Sequence, residues 1–570
     1  MMTRSRVPRS PCRRAPAVPP GVPASPGAPA SPGVPGRVRA GPSGEGAGLL
    51  VSDIDATSCF LRGRSPSGAC QRHPDTSRGA ARWLGEQSPF RSPSGAAGRH
   101  GCANRYSSPI DALRPRLPSP HPAEGVGMTH DHDVIVIGAG FAGATAAREC
   151  ASRGLRTLLL EARDRVGGRT WTSRLSDGEV VEIGGTYVHW TQPHVWSEIT
   201  RYGLEESVVP AAVAPEWALL PTASGLEWCD IEQAEAREKA VLDLFLEPSR
   251  TAFPCAHSPL AGGDAVTELD KLTLRDRLDQ LNLSPDDRAH LSALVSIESA
   301  GSMDEGAFLS LLRWRALSGH SHEAMQEAVF GFKLADGTVS LLNRILADGG
   351  SELLLGEPVV SVAADGRAVR VTTANGRVRS AFAVVVATPS GGWAHIDFSP
   401  GLSPERLGAA RNGLQSPGVS KIVAVVRGER RRVLVLPQAG HPIGLMWTSH
   451  QRSADEQVLE IFGTSALKDA GDPREVEAAL RDLLPRIELV DMAAGSYLED
   501  DEFAKGGWGF YKRGHLSGLA PHETFARPEG RLVFATSDIA AGWYSFIDGA
   551  IESGLRAGRQ VREILRDGTA

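Results

Sequence analysis

Apolar and polar residues follow each other in blocks along this chain, and the clearest block is the run of residues 133–137, Asp-Val-Ile-Val-Ile. A short apolar run rich in β-branched residues is typical of a buried parallel strand. Three glycines with the spacing G-x-G-x-x-G follow, then a segment of helical character, and then a second apolar run at residues 157–160. The pattern predicts a strand, a helix and a second parallel strand, which is the first unit of a Rossmann-like α/β fold.

The same unit predicts a binding site for a dinucleotide. Gly138 allows a tight turn, Gly140 lets the backbone approach a pyrophosphate, and Gly143 lets the helix pack closely on the strand. The amino end of the helix supplies N–H donors and a positive dipole to the phosphates. Glu161 follows the second strand, where a carboxylate accepts hydrogen bonds from ribose hydroxyls and disfavours a 2′-phosphate. The motif alone leaves open that small residues serve only helix packing.

A second glycine pair narrows the choice of cofactor. Arg165-Val-Gly-Gly-Arg169 offers a diphosphate another close backbone approach and guanidinium donors, which NAD domains do not usually need. The pattern E-x-x-x-R-x-G-G-R resembles that of the FAD-binding amine oxidase superfamily. Residues 182–194 resemble the flavin-side loop of its monoamine oxidase branch, and residues 542–558 resemble its last flavin-contacting helix. Several segments of the sequence also resemble those of bacterial nicotine oxidoreductases.

The resemblance implies that FAD is the cofactor and indicates which positions contact it. Gly184 and Gly185 match the glycines that lie against the isoalloxazine, and Val360 matches an adenine contact. Asp538 stands where relatives generally carry a glutamate. Animal relatives bond the flavin covalently through a cysteine in a region where this chain has Trp508 instead. The resemblance therefore implies that FAD is bound non-covalently here. The complete set of expected FAD contacts is Gly138, Gly140, Gly143, Glu161, Ala162, Arg163, Gly168, Arg169, Gly184, Gly185, Thr186, Val360, Asp538, Trp543 and Ile547.

Three further residues carry the expected chemistry. Lys421 matches the family lysine that reaches flavin N5 through a water, where a cation helps dioxygen to accept electrons. Trp508 and Phe546 match the two aromatic walls in front of the flavin, which can steer an amine nitrogen. The animal relatives carry tyrosine at both of these positions, and the bacterial nicotine oxidoreductase has asparagine at the position of Phe546. The alternative for Lys421 is a strand lysine whose ammonium group lies in solvent. The alternative for Trp508 and Phe546 is that both are ordinary core residues.

The remaining pattern predicts a second domain threaded through the first. Helical periodicity recurs in residues 289–296 and 308–317, and strands are expected at residues 357–362 and 383–389. We predict an α/β fold in which a Rossmann-like FAD-binding domain is interleaved with an α+β substrate-binding domain. The expected parts are a disordered extension (residues 1–127), a FAD-binding domain (128–209, 335–414 and 502–570) and a substrate-binding domain (210–334 and 415–501).

Composition adds limits to this picture. The chain has 570 residues, of which 41% are hydrophobic, and a formal charge of −6, which allows a large core and implies no nucleic-acid partner. Residues 1–127 are rich in Pro, Arg, Ser and Gly, lack the apolar core of a secretory signal, and are expected to be disordered. They are an unprocessed tail, a linker, or the product of a wrongly chosen start codon before Met128. Their arginines could alternatively bind an acidic partner.

Cysteine and histidine usage predicts a site without metal in a reducing compartment. After the extension the chain has only Cys150, Cys229 and Cys255, none of them in C-x-x-C spacing, so a cytoplasmic setting is expected. His189 and His194 lack supporting ligands and are expected to be packing residues, so no metal is assigned. No apolar run reaches the ~18–20 residues that span a bilayer, so no membrane partner is expected.

The function implied by the resemblance is oxidation of a C–N bond of a hydrophobic or (hetero)aromatic amine, secondary, cyclic or primary, to an imine. Dioxygen or an electron-transfer protein would reoxidise FAD, and a homodimer is one of the assemblies left open. The main alternative is an L-amino-acid oxidase or another FAD dehydrogenase or desaturase. An amino-acid oxidase needs an arginine for the substrate carboxylate, and Arg201 is the nearby candidate. A flavin-binding protein without turnover, or a demethylase tethered by the basic extension, is the remaining alternative.

Overall fold

The computed structural model describes residues 130–498 and 500–567, and the predicted extension at residues 1–127 lies outside them. The first strand covers His132–Ile137, and its last four residues are buried. A helix begins at Phe141, directly after the glycine turn. The second strand, Thr157–Leu160, lies parallel to the first. The predicted strand, turn, helix and strand are therefore present.

The described residues form nineteen strands and fifteen α-helices, together with short 3₁₀ helices. The strands are β1 (His132–Ile137), β2 (Thr157–Leu160), β3 (Thr172–Arg174), β4 (Val180–Glu182), β5 (Val208–Pro210), β6 (Trp217–Thr222), β7 (Gly225–Asp230), β8 (Phe332–Leu334), β9 (Glu352–Leu354), β10 (Val359–Ala364), β11 (Val369–Thr373), β12 (Val378–Val386), β13 (Asp397–Ser399), β14 (Gly418–Arg427), β15 (Val433–Val435), β16 (Ile443–Gln451), β17 (Glu456–Gly463), β18 (Glu488–Leu498) and β19 (Leu532–Phe534). The helices are α1 (Phe141–Ala151), α2 (Pro193–Arg201), α3 (Ile231–Phe245), α4 (Ser249–Ala252), α5 (Asp264–Leu269), α6 (Leu274–Gln280), α7 (Pro285–Glu298), α8 (Phe308–Leu317), α9 (His322–Phe330), α10 (Thr338–Gly349), α11 (Pro404–Asn412), α12 (Pro473–Leu483), α13 (His515–Leu519), α14 (Pro521–Thr524) and α15 (Ile547–Asp567).

An eight-stranded sheet carries the dinucleotide-binding unit. Its strand order is β13-β10-β11-β12-β1-β2-β9, with β19 paired to β12. β1 lies parallel to both of its neighbours, β12 and β2. Helix α1 packs against α15 and α10, and a cluster that includes Val134, Val136, Leu159, Ala557 and Val561 fills the space between sheet and helices. The carboxyl ends of β1 and β2 consequently meet at one sheet edge, which is where dinucleotides bind in open α/β sheets.

A seven-stranded sheet forms a second layer, with strand order β18-β14-β17-β16-β15-β6-β7. β14 lies between β17 and β18 and pairs antiparallel with both, so nine of its ten residues are buried. Lys421 lies within this otherwise largely apolar strand, opposite Phe462 of β17 and Gly495 of β18. A lysine buried at this depth requires polar partners.

The predicted fold class is confirmed, with the eight-stranded sheet as its Rossmann-like part. Helices α7 and α8 cover the two expected helical segments, and β10 and β12 overlap the two expected strands. Residues 542–558 resemble the last flavin-contacting helix of the family, but the helix begins only at Ile547. Residues 541–546 form bends and turns instead, and they include Ser545 at a φ of 80°. The exact boundaries of the two domains stay a prediction. Within the described ranges, no helix combines the length and hydropathy needed to cross a bilayer.

Candidate active site

The turn between β1 and α1 forms the first part of the site. Gly138 has a φ of 104°, and a Cβ there would lie 2.9 Å from the carbonyl oxygen of Ala387, so both the backbone angle and the space require glycine. A Cβ on Gly143 would lie 1.8 Å from the carbonyl oxygen of Gly138. No acidic side chain lies in the first turn of α1, and Gly140 is its N-cap. The helix end is therefore free to offer N–H groups to a phosphate.

Glu161 lies directly after β2, and two backbone N–H groups orient its carboxylate. Ala139 donates to Oε2 at 2.7 Å, and Arg163 donates to Oε1 at 2.9 Å. An ionised carboxylate has about four acceptor positions, so Glu161 can still accept from ribose hydroxyls. The guanidinium of Arg163 pairs with Asp501 at 2.7 Å, which fixes this arginine beside the site.

Arg169 is held by residues near the start of the last helix. Its Nη1 lies 2.8 Å from Oδ1 of Asp538, and its Nη2 donates to Ser537 Oγ at 3.0 Å. Asp538 is fully buried and also accepts two hydrogen bonds of 2.9 Å from the N–H and hydroxyl of Ser390. Asp538 thus positions Arg169 and lies behind it.

One cavity of about 590 Å³ brings most of the predicted site together. Among its lining residues are Gly138, Gly140, Glu161, Ala162, Arg163, Gly168, Arg169, Gly184, Gly185, Thr186, Val360, Lys421, Trp508, Phe546 and Ile547. Three predicted FAD contacts, Gly143, Asp538 and Trp543, do not line it. Gly143 lies within α1 on the side that packs against Gly138 and Ala387, and the buried Trp543 donates from Nε1 to the carbonyl of Thr191 at 3.1 Å. These three residues shape the wall from behind.

Lys421 reaches the cavity from β14 with a buried ammonium group. Its Nζ donates to Thr186 Oγ1 and to the Tyr187 hydroxyl at 3.3 Å, and lies 3.1 Å from Glu460 Oε2. It also lies 4.6 Å from the centre of the Tyr187 ring, within cation–π distance. The alternative of a lysine head in solvent is therefore wrong. These contacts hold the cation at the cavity wall.

Glu460 is the counter-ion of two lysines. Its Oε1 lies 3.2 Å from Lys333 Nζ, and the Tyr187 hydroxyl donates to Oε2 at 3.0 Å. Burial opposes the charge of Glu460, but Lys421 and Lys333 outweigh it and lower its pKa to about 2. Burial lowers the pKa of Lys421, and Glu460 acts in the opposite direction. Glu460 therefore helps Lys421 to keep its proton.

We expect Glu460→Gln to lower the pKa of Lys421 further. The proton on Lys421 would be lost at a lower pH, because Lys333 remains as a like charge and the nearest anion is gone. If protonated Lys421 assists oxygen, the rate of flavin reoxidation against pH should fall about one unit earlier than in the wild type. Glu456→Gln on the same strand, which removes a more exposed pair with Arg427, is the matched control. Coincident profiles for the wild type and Glu460→Gln would contradict this role.

Aromatic side chains surround the part of the cavity near Lys421. Trp508 meets Phe462 edge to face at 6.2 Å, and its Nε1 donates to the carbonyl oxygen of Glu298 at 3.0 Å. Phe546 packs edge to face on Trp314 at 5.6 Å. Trp508 and Phe546 are only partly buried and both line the cavity. They are consequently available to a ligand, unlike ordinary core aromatics.

Sequence reasoning missed several residues of the site. One is Glu460, the partner of Lys421, and the others line the cavity: Tyr187, Glu298, Trp314, Phe330 and Phe462. Two of the missed residues carried a signal, because a single acid inside an apolar strand or helix predicts a buried partner or a function. Glu460 lies within Val-Leu-Glu-Ile-Phe, and Glu298 lies within Leu-Val-Ser-Ile-Glu. The aromatic residues carried none, since tertiary packing alone selects them.

The histidines considered as metal ligands have other partners. His194 Nδ1 lies 3.1 Å from Asp548 Oδ2, and His189 Nε2 lies 3.5 Å from Glu327 Oε2. Among the described residues, no group of three or more His, Cys, Asp or Glu side chains could hold a metal ion. Arg201, the candidate for binding a substrate carboxylate, is half exposed, pairs with Asp348 at 2.7 Å and does not line the cavity.

The residues present fit FAD. The glycine turn, the helix amino end and the oriented Glu161 form the cradle that a dinucleotide requires, and the same cavity continues past Gly184 and Gly185 to Lys421. Fold and cavity together define a dinucleotide-binding protein with room for a small ligand beside the cofactor.

Comparison with known proteins gives the family. A family model described as "Flavin containing amine oxidoreductase" matches residues 141–562. The chain is 35% identical over 441 residues to pseudooxynicotine dehydrogenase of Pseudomonas sp, covering 76% of this chain and 87% of that protein. It is 33% identical over 438 residues to nicotine dehydrogenase of Pseudomonas putida (strain DSM 28022 / S16), covering 76% and 89%. The structure of cyclohexylamine oxidase from Brevibacterium oxydans IH-35A matches with a TM-score of 0.63 at 22% identity, covering 76% and 100%. The chain belongs to the flavin-containing amine oxidoreductase family, and it is an FAD-dependent enzyme.

Proposed function

We propose that this enzyme oxidises a C–N bond of a hydrophobic or (hetero)aromatic amine, secondary, cyclic or primary, to an imine, with dioxygen or an electron-transfer protein as the final acceptor. The observation that carries the proposal is the placement of Lys421, Trp508 and Phe546 on the wall of the cavity that the glycine-rich segments enter. Two 33–35% identical relatives are named for nicotine and pseudooxynicotine, which supports a nitrogen compound with an aromatic ring.

FAD bound in this cavity supplies the hydride acceptor, its N5 atom. The chain's own residues bind and orient the amine. Trp508 and Phe546 present aromatic surfaces to the substrate, and Trp314, which also lines the cavity, packs against Phe546. Their apolar surfaces exclude water and favour the neutral form of the reacting nitrogen, because burying an unpaired ammonium is costly. The substrate carbon loses a hydride, the nitrogen loses a proton, and the imine leaves and is hydrolysed in water.

Attachment of FAD is proposed to be non-covalent. Of the described residues, the cysteines are Cys150, Cys229 and Cys255, and none lines the cavity. Trp508 occupies the region where the animal relatives carry their flavin-bonding cysteine. Lys421 is proposed to keep its proton at Nζ on the cavity wall, where the cation would help dioxygen to accept electrons from bound FAD, and its pairing with Glu460 supports this role.

The test is anaerobic stopped-flow reduction of the purified full-length protein by nicotine, aromatic monoamines and L-amino acids, followed by admission of air. We expect amines to bleach the flavin and the rate to rise with pH as the amine loses its proton. The reoxidation rate separates an oxidase from a dehydrogenase. Bleaching by an L-amino acid with no bleaching by any amine would reject the proposal in favour of an amino-acid oxidase.

A further inference from the structure

An acidic side chain without a counter-ion lies in the wall of the substrate cavity. Glu298 is the last residue of α7, and it lines the cavity together with Ile297, Phe330, Phe462 and Trp508. The backbone at this point is fixed, because the carbonyl oxygen of Glu298 accepts the 3.0 Å hydrogen bond from Trp508. Glu298 is thus held beside one of the two aromatic walls.

The carboxylate of Glu298 differs from the other acids of the site in lacking partners. Glu161 accepts two backbone hydrogen bonds, and Glu460 pairs with two lysines. Burial has the largest effect on the pKa of the Glu298 carboxyl group, and repulsion from Glu238 on α3 has the next largest effect. Within residues 130–498 and 500–567, no basic side chain pairs with it. An unpaired carboxylate in an apolar wall is costly for the free protein.

The surroundings add negative rather than positive potential. Burial, with repulsion from Glu298's neighbour Glu238, raises the pKa of the Glu298 carboxyl to about 8. Burial and nearby Glu235 raise the pKa of Glu238 to about 7, although Gln326 donates a hydrogen bond to it. The carboxyl end of α7 contributes its partial negative charge at the same point. A cation in the cavity would offset the cost of burying the Glu298 charge, the repulsion from Glu238 and the negative end of α7.

Resting on the function proposed above, we propose that Glu298 binds a second, protonated nitrogen of the substrate. The enzyme would then prefer amines that carry two basic nitrogens over monoamines of the same shape. The reacting nitrogen is neutral and meets Trp508 and Phe546, while the second nitrogen stays charged and donates to the Glu298 carboxylate. Binding of this cation favours ionisation of Glu298, since an opposite charge in contact stabilises the charged form.

The test compares matched amines in the full-length holoenzyme. Hexylamine is paired with 1,6-diaminohexane, and 4-methylbenzylamine with 1,4-bis(aminomethyl)benzene, in anaerobic flavin reduction. For the wild type we expect half-saturation at a concentration about tenfold or more lower for each diamine than for its monoamine, since a charge-assisted hydrogen bond is worth about 1.5–3 kcal/mol. Glu298→Gln should lose this preference, because the half-saturating concentration of each diamine should rise toward that of its monoamine.

Two further variants complete the test. Glu298→Leu should improve monoamine binding, because it removes the unpaired carboxyl and extends the apolar wall. Glu305→Gln removes an exposed carboxylate paired with Lys512 on the loop after α7 and should leave both half-saturations unchanged. Equal half-saturation for monoamine and diamine in the wild type, or an equal effect of Glu298→Gln on both, would overturn the role of Glu298. If no amine of either kind bleaches the wild-type flavin, it is the proposed function that fails.

Discussion

Gly143→Ala is expected to abolish retention of FAD and to destabilise the fold by about 3 kcal/mol or more. The new methyl group would lie 1.8 Å from the carbonyl oxygen of Gly138 and 3.2 Å from Cβ of Ala387. Gly138 directly follows β1 and Ala387 directly follows β12, so the clash can be relieved only by moving α1 away from the sheet. The measurements are the flavin-to-protein ratio after gel filtration and the midpoint of urea unfolding.

Two matched substitutions separate folding from cofactor binding. Gly408→Ala makes the same change within a helix, but its Cβ would meet open space, so FAD content should be unchanged and stability should rise by up to about 1 kcal/mol. Gly140→Ala has only an ordinary 3.5 Å contact with Gly167, yet it faces the cavity. It should weaken FAD binding about tenfold or more while the apoprotein unfolds as the wild type does. Normal FAD content in Gly143→Ala would show that close helix packing is not required.

Local sequence was sufficient for the dinucleotide-binding unit. The run around Val134 and Val136, the three glycines and Glu161 act through neighbours that are close along the chain, so periodicity and turn chemistry specify them. The structure brings Lys421, Trp508 and Phe546, which the family resemblance indicated, to the lining of one cavity, although their separations in sequence gave no such information. Their roles in the reaction stay predictions.

Residues that act through distant partners could not be assigned in this way. Asp538 was expected to contact FAD, but Arg169 and Ser390 come from remote segments and engage its carboxylate behind the wall. Glu298 becomes part of the cavity wall because α7 ends beside Trp508, which lies 210 residues later in the chain. Such pairings arise from packing of whole elements, and no local pattern encodes them.

Lys421→Met is expected to slow reoxidation of the reduced flavin by dioxygen by about two orders of magnitude or more. Dioxygen gains negative charge as it accepts electrons, and in a buried site a fixed cation stabilises that charge far more than water would. Lys421 is the buried ammonium of the cavity wall, held by Glu460, Thr186 and Tyr187. The limiting rate of flavin reduction by an amine that is oxidised rapidly should change by less than about tenfold. Trp508 and Phe546, rather than Lys421, are proposed to contact the amine.

The variant also leaves Glu460 with one lysine fewer, which by itself could disturb the site. Lys421→Met combined with Glu460→Gln also removes the Glu460 charge and should reoxidise as slowly as Lys421→Met. Reoxidation by an artificial acceptor such as dichlorophenolindophenol should be affected less than reoxidation by dioxygen, because its own charge and size govern its approach. If the double variant recovers the wild-type rate with dioxygen, the slow reoxidation came from a disturbed Glu460, and Lys421 does not assist oxygen.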